Sequence, residues 1–140
     1  MEDGAYFVRK NCPELVVTVS NNLCMSCTRM LDCYMNEYIE TETRKITPDV
    51  IDALASQIKE IFFMCFIWSL GATTNAQGRE RFDGWIREQM RSQALTFPEE
   101  KTCYDWFWNR EQKEWVSWFS TIAEYRVDTK SPYNEIVVPT

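Results

Sequence analysis

The residues here best suited to chemistry are thiols. Cys24-Met25-Ser26-Cys27 is a C-x-x-C spacing with Cys33 six residues on, and Cys12, Cys65 and Cys103 complete a set of six. Zinc or redox chemistry is what such spacing could do. A zinc site takes four ligands, usually from two paired motifs. The other three thiols are single and scattered, and the chain has no histidine to complete a set. On a helix, Cys24 and Cys27 fall on neighbouring faces, with Cys27 inside an apolar stripe. A reduced cysteine there behaves as a small core residue, so packing is the reading preferred over metal or redox function.

Other reaction types lack their residues. Without histidine there is no Ser-His or Cys-His nucleophile pair and no imidazole base. None of the four glycines precedes the Lys-Ser/Thr of a phosphate-binding loop. Acidic neighbours such as Glu99 and Glu100 read as solvated surface, because nothing sets two carboxylates in an apolar pocket that would split their pKa values. A net charge of −6 opposes nucleic-acid binding, which needs a basic face. The longest apolar run, "IFFMCFI" at 61–67, is far short of the roughly 20 residues that span a bilayer. The start "MEDGAYFVRKNC" has no apolar core before a cleavage site, so reduced thiols in an intracellular protein are expected. Neither a nucleic acid nor a membrane is an expected partner.

The elements that must position these residues are mainly helical. "FVRKNCPEL" allows a short helical turn before Pro13. A helix then runs from an Asn21 or Asn22 cap to about Tyr38, with Leu23, Cys27, Met30, Leu31, Tyr34 and Tyr38 as one stripe. A second, of about 23 residues, runs from Pro48 to Leu70. Thr47 would cap it, Asp49 would face its positive end, and Gly71 would close it in the left-handed conformation. Its first half is amphipathic through Val50, Ile51, Leu54, Ile58 and Ile61. Its second half is apolar all round, as befits a helix surrounded by protein. A third, from about Arg79 to Ser92, buries Phe82, Trp85, Ile86 and Met90, with Arg79–Asp83 and Asp83–Arg87 pairs on its wet side. Beyond "TFPEEKT", "CYDWFW" and "EWVSWF" flank a polar loop and predict a hairpin. A helical turn at Trp115–Trp118 competes with that reading, and "EYRVD" is a candidate third strand. Trp68 and Trp85 fall on core faces, whereas Trp106, Trp108, Trp115 and Trp118 divide between core and a protein interface.

The fold expected is therefore mainly α: a small bundle of three main helices over residues 7–95, then a short antiparallel or irregular extension over 96–140. The chain stops on "NEIVVPT", whose apolar Ile136, Val137 and Val138 need something to pair with.

Four stretches in order resemble one family: "FVRKNCPELVVTVSNNL", "IKEIFFMCFIWSLGATTNAQGRERFDGWIRE", "YDWFWNREQKEWVSWF" and "NEIVVPT". They are similar to the dynein heavy chain, in the segment joining the second AAA+ module of the motor ring to the third. The "FIWSLGATT" and "GRERFDGWIRE" wording is the most specific, and the axonemal inner-arm type is the nearest likeness. The resemblance implies an AAA+ lid-like bundle leading into a next module, with no catalytic residue of its own. It implies coupling of nucleotide-driven motion between neighbouring AAA+ modules of the same heavy chain. ATP and magnesium would belong to the complete motor, with none bound in this segment. Microtubules and other dynein subunits would be reached only through that motor, in the cytoskeleton of a cilium or flagellum axoneme. Ile136, Val137, Val138, Pro139 and Thr140 would contribute adenine-side contacts there. The Asp-Thr and Arg that follow "VPT" in the family lie beyond Thr140. A different reading is an independent helical module that binds a protein through its exposed aromatics. A thiol-dependent enzyme is a third, opposed by the missing histidine.

Overall fold

A computed structural model describes residues 2–122 apart from 42 and 44. Six helices are found there: α1 (Glu2–Asn11), α2 (Ser20–Met35), α3 (Pro48–Ala55), α4 (Ile58–Ser69), α5 (Ala76–Ser92) and the single turn α6 (Trp118–Thr121). The antiparallel strands β1 (Trp106–Asn109) and β2 (Glu114–Ser117) form a two-stranded hairpin between α5 and α6. Among the described residues no helix is long and apolar enough to cross a membrane. The candidate strand "EYRVD" and the tail from Asn134 lie outside the described residues.

Burial follows helical periodicity where the stripe is strongest. In α5, Phe82, Ile86 and Met90 are fully buried at four-residue steps, and Trp85 is half-buried and stacked on Phe7 of α1 at 4.8 Å. Asn75 caps α5 by accepting from the Gly78 amide at 2.9 Å, which moves the start three residues ahead of the expected Arg79. In α4, Ile61, Phe63 to Ile67 and Ser69 are buried, so this short helix is the centre of the molecule. Its neighbours are α2 on one side and β1 on another.

Several expectations are corrected. The helix expected over 48–70 is two, broken at Gln57, whose φ of −138° and ψ of 6° leave the helical region. Its amphipathic first half joins the core only in part: Ile61 is fully buried and Leu54 packs against the core, but α3 has no fully buried residue and Ile51 is 56% exposed. Thr47 precedes α3 without a side-chain cap bond, and α2 begins after Val19 rather than from an asparagine cap, ending in a 3₁₀ turn at Asn36–Tyr38. The turn expected at 7–12 is a full helix, α1. Gly71 does not close a helix with positive φ. It opens a 3₁₀ turn (Gly71–Thr73), and a Cβ there would lie 2.5 Å from the Phe82 ring and 2.8 Å from the Tyr104 hydroxyl. Its small size matters, because two aromatic side chains press on it.

One segment is left uncovered. Between α1 and α2, Leu15, Val16, Val17 and Val19 are 53–85% exposed. The chain there is tied through Leu15 N–H to the Thr73 carbonyl, at 3.0 Å, and through Thr18, whose hydroxyl donates to the Glu14 carboxylate. Among the described residues no hydrogen bond engages the peptide groups of Val16 or Val17.

Candidate functional site

The thiols come first. Cys27 and Cys65 are buried where α2 meets α4, Cys24 is half-buried and Cys33 is exposed. Among the described residues no group of three or more His, Cys, Asp or Glu could hold a metal ion. Burial raises the Cys27 thiol against the opposing hydrogen bond from Ser69. Burial, reinforced by Cys27, pushes Cys65 up to about 12. Cys103 is raised too, by burial and then by the Asp83 carboxylate. Thiols held protonated are poor nucleophiles and poor ligands, which suits the packing role. An apolar cavity of about 420 Å³ opens between α1, α4 and α5, lined by Phe62, Phe66 and Trp85 with Asp3 and Lys59.

What the fold does build is a junction between the helical bundle and the extension. Asp83 and Arg87 form its centre on α5. Arg87 Nε donates to both Asp83 carboxylate oxygens at 2.9 and 3.0 Å, an ion pair only 13% and 19% exposed. The rest of the guanidinium reaches across the next loop. One terminal nitrogen donates to the Pro98 carbonyl at 2.5 Å, the other to the Lys101 carbonyl at 2.9 Å, and the plane lies 5.0 Å over the Phe97 ring. Asp83 accepts from the Cys103 amide at 2.6 Å. The pair read as wet is a clamp on residues 97–103. Arg79, expected to pair with Asp83, instead lies 5.2 Å over the Tyr104 ring.

The extension is seated by further bonds. Thr102 and Asp105 make a reciprocal cap, and the Thr102 hydrogen bonds hold the Asp105 carboxyl below the usual carboxylate range. Tyr104 donates its hydroxyl to the Gly71 carbonyl at 3.0 Å, and burial raises its pKa, keeping the phenol protonated as a donor. The Trp108 indole donates to Gln57 Oε1 at 2.9 Å, and its amide to the Met64 sulfur at 3.2 Å. Trp68 is not a core residue but half-buried, edge-on to both Tyr104 and Trp118 at 6.1 and 5.8 Å.

The hairpin forms in the register Trp106↔Ser117, Phe107↔Val116, Trp108↔Trp115 and Asn109↔Glu114. Asn109 accepts from the Glu111 and Gln112 amides and so makes the turn. Alternation sends Trp108 inward, 8% exposed. The competing helical turn at Trp115–Trp118 does not form, because Trp115 to Ser117 pair as strand; the single turn α6 begins only at Trp118. Sequence reasoning missed Gln57, Tyr104 and the bridging role of Arg87. The Asp83–Arg87 spacing was the only visible signal, since the carbonyls it reaches carry none.

The predicted adenine-side residues, Ile136, Val137, Val138, Pro139 and Thr140, lie outside the described residues.

Comparison with known proteins agrees with this architecture. The family Dynein heavy chain AAA lid domain matches residues 1–120. The chain is similar to Dynein axonemal heavy chain 1 of Homo sapiens, 29% identical over 159 residues, covering 100% of this chain and 4% of that protein. The same-named protein of Rattus norvegicus is 31% identical over 109 residues, covering 76% of this chain and 2% of its own length. Dynein-1-beta heavy chain, flagellar inner arm I1 complex, of Chlamydomonas reinhardtii is 28% identical over 80 residues, covering 56% and 2%. This chain therefore spans only a few per cent of the length of these relatives. Six helices with α4 at their centre among the described residues, a hairpin seated on them, and a family match running from α1 into α6 lead to one conclusion: the chain belongs to the dynein heavy chain AAA lid family.

Proposed function

We propose that this segment is a non-catalytic lid in a dynein-type, ATP-driven microtubule motor, lying between the second and third AAA+ modules. It passes nucleotide-driven rotation of one module to the next. The observation that carries this reading is the junction. Arg87, Asp83, Tyr104, Trp68 and Trp108 fasten the extension to the bundle through hydrogen bonds and ring contacts on several sides. A body fastened in this way turns as one piece, so a change of lid angle is delivered to whatever follows α6 instead of being absorbed at a loose joint.

On this reading ATP and magnesium act in the neighbouring modules, and microtubules and other dynein subunits are met only through the complete motor. The names of the relatives, axonemal and flagellar inner arm, favour work in a ciliary or flagellar axoneme. Ile136 to Thr140 would then lie against the adenine side of the third module.

The test is made in the complete heavy-chain motor. Arg87→Ala and Trp68→Ala should leave basal ATP hydrolysis in place while lowering its stimulation by microtubules and the gliding velocity. Unchanged stimulation and velocity in both variants would refute the coupling role.

A further inference from the structure

The break between α3 and α4 has no helix-breaking residue behind it. From Asp49 to Ser69 the sequence contains no glycine and no proline, and helix formers run through the break at Ala55-Ser56-Gln57-Ile58. The break also leaves backbone groups unmatched. The Gln57 amide turns to the Leu54 carbonyl, and helical bonding resumes only with Ile61 N–H to the Gln57 carbonyl at 3.1 Å. Ile58, Lys59 and Glu60 therefore have amides with no acceptor among the described residues. One continuous helix would give them the carbonyls of Leu54, Ala55 and Ser56.

Side chains hold the break open. Gln57 is 3% exposed, its Oε1 accepting from the Trp108 indole at 2.9 Å and its Nε2 donating to the Ala53 carbonyl at 3.2 Å. Beside it, Ser56 Oγ donates to the same carbonyl at 2.8 Å and accepts from Lys113 Nζ, at 3.1 Å, on the hairpin turn. Two of these four contacts come from the hairpin. Meanwhile α3 has no fully buried residue and meets the core chiefly through half-buried Leu54, so little packing opposes its reorientation.

We propose that Ser56–Gln57 is a hinge: α3 and α4 exchange between this broken form and a single helix over residues 48–69, and seating of the Trp108 indole on Gln57 selects the broken form. The hairpin thereby sets the direction of α3. A buried amide that loses its indole donor is left unsatisfied, so Gln57 leaves its site and the amides of 58–60 regain their acceptors. This inference concerns the chain itself and does not rest on the motor reading.

The experiment is amide exchange and backbone chemical shifts by NMR on the full 140-residue chain, comparing wild type with Trp108→Phe and Gln57→Ala. Trp108→Phe keeps a ring and removes the donor; Gln57→Ala removes the acceptor and leaves the hairpin whole. In both, exchange at Ile58, Lys59 and Glu60 should slow by about fivefold or more as hydrogen bonds form, and the Cα shift at position 57 should become helical. Phe82 and Ile86 amides in α5 report that the fold persists. With α5 protected, fast exchange at 58–60 and a non-helical shift at position 57 in Gln57→Ala overturns the hinge. If only Trp108→Phe retains the break, control by the hairpin is overturned. Should Trp108→Phe lose α5 protection, relaxation dispersion at residues 55–60 of wild type decides, its absence overturning the exchange.

Discussion

Replacing Arg87 tests whether the junction holds the extension to the bundle. Arg87→Ala removes the contact of Nε with two Asp83 oxygens and two bonds to the Pro98 and Lys101 carbonyls, together with the guanidinium over Phe97. Hydrogen bonds to charged groups contribute roughly 1.5–3 kcal/mol each in isolation. They do not sum here. The ion pair is 13% and 19% exposed, so water can partly replace what is lost, and Asp83 keeps the Cys103 amide as a donor. A loss of about 2–4 kcal/mol is expected, below the roughly 3–5 kcal/mol of a fully buried broken pair. Arg87→Lys is the sharper variant. It keeps the charge but has one point of donation in place of a planar fork, so it should lose at least about half as much. Urea unfolding followed by tryptophan fluorescence measures both. A double-mutant cycle with Asp83→Ala should give a coupling above about 1 kcal/mol. A lysine variant as stable as wild type would show that the fork bridges nothing of consequence, and the clamp would be discarded.

Two of the glycines, Gly71 and Gly84, should respond oppositely to alanine. Gly71→Ala places a Cβ against Phe82 and Tyr104 and should destabilise by about 1–3 kcal/mol, while Gly84→Ala, with nothing within 4 Å in mid-α5, should stabilise by about 0.5–1 kcal/mol; equal effects in thermal melts would contradict the packing described. Stability should also fall on the alkaline side. Cys65 ionises near 9 when unfolded and near 12 when folded, and burial raises Cys27, Cys103 and Tyr104 likewise, so the unfolded chain releases protons first as pH rises. Stability is then fully present below about pH 9 and lost progressively towards pH 12, and a flat urea midpoint across that window would contradict the assignment.

The parts legible from sequence were those with a repeating side-chain signal. The α5 stripe of Phe82, Ile86 and Met90 and the aromatic runs around the Asn109–Lys113 turn each repeat with one period, and each formed as expected. The Pro48–Leu70 stretch carried an equally good helical pattern and still broke, because the decision is made by Trp108, fifty-one positions from Gln57. Gly71 was visible as a glycine but not as a contact, since conformational freedom and lack of bulk look identical in a sequence. The clamp was half legible: the charges of Asp83 and Arg87 stand at helical spacing, but the carbonyls of Pro98 and Lys101 belong to the backbone and have no residue type to announce them. The family likeness reached further than local patterns because it compares whole stretches in order.

The uncovered valines between α1 and α2 carry a practical meaning for anyone handling this segment alone. Strand-prone aliphatics beside peptide groups that lack partners among the described residues offer a template to any extended chain nearby, a second copy included. Its behaviour in concentrated solution will be governed less by the well-packed rings at its centre than by five residues at its margin, from Leu15 to Val19.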